Sequence, residues 1–245
     1  MNDFQERIAK AARQKSRLVL ANDYDDQKNL QSRTINNIKT LSESLCAIKF
    51  NFHVLLPLGE KQIKKITKLA HEYDLQIIAD IKLNDIGNTN FVAAQTLWDL
   101  GFDCLIVNPM MGPGNMQKLV DLSHKNKKGI ISLCHMSSPE AKVTYELGVN
   151  IGSKRTQLYK LFLQWAAKMS TDGIIVGATF PEIIQYCKKQ SKGKLNIFSP
   201  GIGTQGGDVS STLAAGSDYL IVGRTILNSK NPKKIAQEMA ELSKN

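Results

Sequence analysis

Short apolar runs alternate along the chain with stretches in which apolar side chains recur every three or four positions. The runs at 17–23 (RLVLAND), 47–52 (AIKFNF), 76–83 (QIIADIKL), 104–110 (CLIVNPM), 129–136 (GIISLCHM), 173–179 (GIIVGAT), 196–202 (NIFSPGI) and 219–226 (YLIVGRTI) are apolar nearly throughout. Strands buried on both faces have that character, as parallel strands do. A helical period marks 3–13 through Phe4, Ile8, Ala11 and Ala12, and 60–73 through Ile63, Ile66, Leu69 and Ala70. The intervals 26–44, 88–100, 113–124, 155–170, 181–190, 208–216 and 232–243 are predicted as helices too; Gly101 closes one and Pro181 opens another. Residues 137–153 show no regular period. After the leading helix come eight strands, each followed by a helix, which predicts a (β/α)8 barrel with the whole chain, 1–245, as one domain. A doubly wound open sheet is the alternative architecture.

In such barrels the active site lies at the C-terminal ends of the strands. Those ends carry charge. Alternate strand residues share a face, so Asp23 goes with Ala21 and Val19, Lys49 with Ala47, and Asp80 with Lys82, opposite Ile77, Ala79 and Ile81. Asp85 follows just beyond, where the chain turns at Gly87. Five charges, Asp23, Lys49, Asp80, Lys82 and Asp85, are expected on one rim, each costly to bury unless paired with the others. A lysine between two carboxylates keeps its proton, since each negative neighbour favours the charged form. The seventh strand runs into GIGTQGGD, 201–208, and the eighth ends at Gly223–Arg224. Glycines let backbone N–H groups approach an anion, and a helix start favours negative charge. Arginine presents a planar fork that matches phosphate. A phosphate is expected between these two loops, its common place in such barrels.

Composition narrows the function class. No stretch approaches the roughly 20 apolar residues of a membrane span, and the polar start MNDFQERIAKAARQKS lacks the apolar core of a secretory signal. The chain is read as cytoplasmic, with no membrane partner. Cys46, Cys104, Cys134 and Cys187 form no C-x-x-C pair, and His53, His71, His124 and His135 lack metal-ligand spacing, so no metal site is expected. His53 and His135 fall near strand ends, but structural roles are expected for both. The formal charge of +10 suits a nucleic acid or an anionic metabolite. The lysines, however, gather in solvated-looking clusters without interleaved aromatic residues.

The segments LVLANDYD, AIKFNFHVLL, IIADIKLNDIGNTN, CHMSSP, FSPGIGTQGGD and YLIVGRTIL together resemble the orotidine 5′-phosphate decarboxylase family in its short archaeal-type form. They follow the family's order from Leu18 to Leu227. The resemblance implies a homodimeric barrel that converts orotidine 5′-monophosphate to UMP and carbon dioxide without cofactor or metal. It implies that Lys82 protonates carbon 6, that Asp80 crowds the substrate carboxylate, and that Asp85 and Thr89 reach into the partner's site. Lys49 would hold Asp80 and a ribose hydroxyl, Asp23 the ribose, and Ser137 the pyrimidine edge. Gln205, Gly223 and Arg224 would grip the phosphate, with Pro200 lining the pocket. Three details depart from the family pattern: Gly87 where proline is expected, Val107–Asn108–Pro109 in place of V-H-G, and S-S-P-E in place of S-H-P-G after Met136.

Two other functions fit parts of the pattern. A superfamily enzyme acting on a sugar phosphate would use a magnesium ion at Asp80 and show dependence on added metal. A noncatalytic nucleotide- or RNA-binding protein would account for the excess lysine, but not for the converging charges at the strand ends.

Overall fold

Residues 3–244 are described by a computed structural model. Among the described residues ten strands form: β1 (Leu18–Ala21), β2 (Ala47–Asn51), β3 (Gln76–Leu83), β4 (Cys104–Val107), β5 (Gly129–His135), β6 (Gly148–Ile151), β7 (Lys154–Gln157), β8 (Gly173–Val176), β9 (Asn196–Pro200) and β10 (Tyr219–Val222). The α-helices are α1 (Asp3–Gln14), α2 (Leu30–Leu41), α3 (Phe52–Leu55), α4 (Glu60–Glu72), α5 (Gly87–Asp99), α6 (Pro113–Lys125), α7 (Ala141–Thr144), α8 (Leu158–Met169), α9 (Pro181–Ser191), α10 (Val209–Ala214), α11 (Arg224–Leu227) and α12 (Pro232–Leu242). Eight of the strands, all but β6 and β7, close a parallel barrel in chain order, with β10 pairing back onto β1. The expected (β/α)8 architecture is therefore present.

The period-2 pattern sorts the side chains into two shells. Val19, Ala21, Ala47, Ile78, Ile106, Ile131, Leu133, Ile175, Phe198 and Ile221 fill the barrel, while Phe4, Ile8 and Ala11 of α1 pack against this inner set. Leu18, Leu20, Ile48, Phe50, Ile77 and Ala79 face outward onto the helices. Both faces of each strand are thus covered, which is why the strands read as continuous apolar runs.

Several boundaries differ from the sequence expectation. The helix expected over 26–44 begins at Leu30, because Asn29 sits at φ 52°, outside the helical region. The irregular stretch, 137–153, holds α7 and the first strand and turn of the antiparallel hairpin β6–β7, whose two-residue turn is Gly152–Ser153. Its faces are largely exposed, so it carries no apolar alternation. The helix expected from 155 therefore starts only at Leu158. The last barrel strand stops at Val222 and the chain turns helical at Arg224.

A repeated device ties the barrel at the end opposite the charges. Asp103, Asp172 and Asp218 each stand immediately before a strand. Their Oδ2 atoms accept the N–H of Ile77 (3.0 Å), Ile130 (2.8 Å) and Ile197 (2.8 Å) in the preceding barrel strand. Each carboxylate also meets a basic side chain from the helix before that strand: His71 (2.9 Å), His124 (3.1 Å) and Lys188 (2.6 Å). One acid thereby joins two adjacent strands and a helix, a stability role that fits this end of the barrel.

Candidate active site

The barrel positions β1, β2 and β3 side by side, with Ala21 in register with Lys49 and Asn51 with Asp80. The inward parity of these strands brings Asp23, Lys49, Asp80 and Lys82 together. Lys49 Nζ donates to Asp80 Oδ2 at 3.0 Å and to Asp23 Oδ2 at 3.4 Å. Lys82 Nζ donates to Asp80 Oδ1 at 2.8 Å. Lys49 and Asp80 are buried, only 3% and 8% exposed. Burial works against the charge of Asp80, but Lys49 and Lys82 overcome it and hold its carboxyl below the usual carboxylate range. Burial likewise opposes the charge of Lys49, and Asp80 and Asp23 outweigh it, so its pKa is raised. Asn51 joins the network unannounced by the sequence reading. With its amide nitrogen turned to Asp80 it donates to Oδ2 at 2.9 Å and to the main-chain oxygen at 3.1 Å.

A cavity of about 320 Å³ opens above this network, a size suited to a small organic ligand. Ile106, Leu133, Ile175 and Ile221 form its apolar lining, and Asp23, Lys49, Asp80 and Lys82 its charged wall. Ser137, Pro200, Gln205, Gly223 and Arg224 line the same space, as does Thr204 in the glycine-rich loop, whose residue type alone gives no sign of it. Ser137 is held in place: Thr179 Oγ1 donates to its carbonyl at 2.9 Å. Gly201 lets the loop close in, because a Cβ there would lie 2.8 Å from Ser137 Cβ and 3.1 Å from Gln205 Oε1. Ser137 and Gln205 thus converge over a position that tolerates no side chain.

Two expectations change. Asp85 does not join the rim charges of its own chain. It does not line the cavity, and its Oδ1 instead accepts the N–H of Ile86 at 2.7 Å. The lysine flanked by two carboxylates is Lys49, between Asp23 and Asp80; Lys82 meets only Asp80. Thr89, expected to reach a partner's site, stands exposed outside the cavity of its own chain. Buried Asn90 pins the Asp85 backbone, accepting its N–H at 3.0 Å and donating to its carbonyl. Second, the helix start after GIGTQGGD is not open to an anion. Asp208 caps α10 with its own carboxylate, accepting the Ser211 N–H at 2.9 Å. Gln205, Gly223 and Arg224 line the cavity without help from that helix. Gly87 stands at φ 37°, a conformation closed to proline. Its departure from the family pattern is a local change of backbone. His135 is fully buried among Tyr145, Tyr159 and Phe180, outside the cavity. All four cysteines are buried thiols.

Comparison with known proteins adds to this geometry. Residues 16–239 match the profile of the orotidine 5′-phosphate decarboxylase / HUMPS family. The chain belongs to this family. The orotidine 5′-phosphate decarboxylase of Thermococcus kodakarensis is 34% identical over 228 residues, 93% of this chain and 97% of that protein. That of Pyrococcus abyssi is 32% identical, covering 91% and 96%. Among solved structures, the orotidine 5′-phosphate decarboxylase of Pyrococcus horikoshii superposes with a TM-score of 0.77 at 31% identity, covering 93% of this chain and 99% of that one. The Methanocaldococcus jannaschii decarboxylase, solved with the inhibitor BMP, gives 0.78 at 27% identity, covering 93% and 98%. The family match runs from before β1 into α12, so it includes every strand that contributes to the cavity.

Proposed function

We propose that this chain decarboxylates orotidine 5′-monophosphate to UMP and carbon dioxide in de novo pyrimidine biosynthesis, acting in the cytoplasm as one barrel domain. The observation that carries the reading is the continuous Asp23–Lys49–Asp80–Lys82 network along a cavity that also receives Gln205 and Arg224. The pyrimidine would lie over the apolar lining with its carboxylate beside Asp80 and its edge at Ser137. The ribose would meet Asp23 and Lys49, and the phosphate Gln205, Gly223 and Arg224, with Pro200 against the ring.

In the reaction the bond from carbon 6 to the carboxylate breaks. Its electron pair stays on carbon 6, and Lys82 gives that carbon a proton. The ammonium group stands where negative charge develops, and a preorganised charge acts selectively on the transition state. Asp80 crowds the departing carboxylate and keeps the Lys82 ammonium aimed, the 2.8 Å contact fixing its direction. Lys49, between two acids, balances the buried charge without entering the proton transfer. No cofactor or metal is part of this scheme.

The proposed assembly is a homodimer in which Asp85 and Thr89 complete the partner's site. Phe52, Leu56, Ile86, Val92 and Met110 are all exposed on the segments that follow β2, β3 and β4. Exposed apolar side chains after three neighbouring barrel strands suit a self-complementary contact with a second copy.

The direct test follows orotidylate absorbance with purified protein and a chelator present. Loss of absorbance is expected. No turnover with chelator, but turnover of a sugar phosphate with added magnesium, would overturn the assignment.

A further inference from the structure

One hydroxyl joins the two segments proposed to hold phosphate. Thr225 Oγ1 donates to the Ile202 carbonyl at 3.2 Å, accepts the Thr204 N–H at 3.2 Å, and lies 3.1 Å from Thr204 Oγ1. A hydroxyl has one donor and two acceptor positions. With its hydrogen on Ile202, Thr225 must accept from the Thr204 hydroxyl too, so all three positions are filled. The 201–208 loop is also tied within itself: Gly203 N–H to Gly207 O at 2.7 Å, Gly206 N–H to Gly203 O at 2.7 Å, and Gly207 N–H to Gly201 O at 3.0 Å. It therefore holds its shape as a unit, and Thr225 bonds it to the turn after β10. Gly203 confirms how close the approach is. A Cβ there would lie 2.2 Å from Thr225 Oγ1, and the residue sits at φ 75°. The residues beside this junction are Gln205, next to Thr204, and Arg224, next to Thr225.

We propose that Thr225 is a positioning residue that sets the spacing between Gln205 and Arg224, and so determines the affinity for the phosphate of the nucleotide. This rests on the reading of Gln205 and Arg224 as the phosphate site. The hydroxyl itself need not touch the ligand. Its three bonds keep the two arms at one separation, so that ordering the loop is not left to be done when phosphate binds.

The test compares UMP with uridine, which lacks the phosphate, by calorimetry, alongside steady-state kinetics. Thr225→Val keeps the shape and removes the hydroxyl. Loss of these hydrogen bonds, partly replaced by water at this half-buried site, predicts UMP binding weakened about tenfold with uridine unchanged. KM for orotidine 5′-monophosphate should rise by a similar factor while kcat at saturation stays within about twofold, since the loss is in uniform binding. Thr225→Ser should restore both. Thr204→Ala, on the exposed side of the same junction, should shift UMP alone by a smaller factor, which keeps the test intact if Thr225→Val does not fold. Equal weakening of UMP and uridine, or no change in either, overturns the positioning role. Arg224→Ala serves as the separate control. It should weaken UMP and spare uridine; if it treats both alike, the phosphate site itself is wrongly placed.

Discussion

Lys82 reaches Asp80 across a single intervening residue, Nζ to Oδ1 at 2.8 Å, from a backbone held at φ 45°. The β3–β4 register shifts between Ala79 and Leu83, so the strand is irregular just where it carries this lysine. A non-glycine residue at positive φ is strained, and such strain gathers at functional sites.

That strain separates two roles of residue 82. Lys82→Ala and Lys82→Gly should both abolish turnover of orotidine 5′-monophosphate. Lys82→Gly should be the more stable of the two by about 0.5–1 kcal/mol, because glycine adopts positive φ without a Cβ penalty. Thermal melts of the two variants measure the difference. Near-normal activity in either would sink the proton-donor role.

The buried pair beside it makes stability depend on pH at both extremes. Asp80 has a folded pKa below its ordinary value, so its contribution is present above that ordinary value and lost as pH falls through the folded one. Lys49 has a raised pKa, so its contribution is present below the ordinary lysine value and lost as pH rises through the folded one. Asp80→Asn should flatten the acid limb of the melting curve. At neutral pH it should cost on the order of 3 kcal/mol, the low end for a broken buried pair, since Asp23 still faces Lys49. An acid limb identical to wild type would show that Asp80 does not control it.

Asp85 makes a demand on mixtures of variants. Lys82→Ala and Asp85→Ala proteins, each inactive, are dissociated together and allowed to reassociate. If Asp85 serves the partner's site, a mixed dimer has one site with both lesions and one with neither. Random pairing in a two-fold dimer should then restore about a quarter of wild-type activity. If Asp85 serves its own chain, every site keeps a lesion and no activity returns.

His124 supplies a pH test at the other end of the barrel. Its hydrogen bond to Asp172 raises its pKa against the effect of burial. The resulting stability is present below the ordinary histidine value and lost as pH rises through the folded one. Wild-type melting temperature should therefore include a downward component from about pH 6 to 8 that is missing in His124→Asn. Parallel pH profiles for the two proteins would rule out this contribution.

The alternation of strands and helices and the charged wall of the cavity are legible in the chain. Strands buried on both faces must be apolar, and a two-residue period sends Asp23, Lys49 and Asp80 inward with Val19, Ala47 and Ile78, so both features are written locally. The hairpin Gly148–Ile151 with Lys154–Gln157 left no such mark, because it buries neither face. That Asn51 joins the carboxylates, that Asp85 leaves them, and that Asp208 closes the helix start expected to receive an anion follows from contacts made once the barrel closes. The aspartates at 103, 172 and 218 form a threefold repeat that the chain does not display, since the segments FDC, TDG and SDY share a single residue type. What makes them equivalent is the N–H of a neighbouring strand and a basic side chain on the helix before it, partners 21 to 48 residues away in the chain. The Thr225 junction is hidden for the same reason: side-chain chemistry is set by residue type, but the partner that completes a hydrogen bond is chosen by which loops the closed barrel brings together.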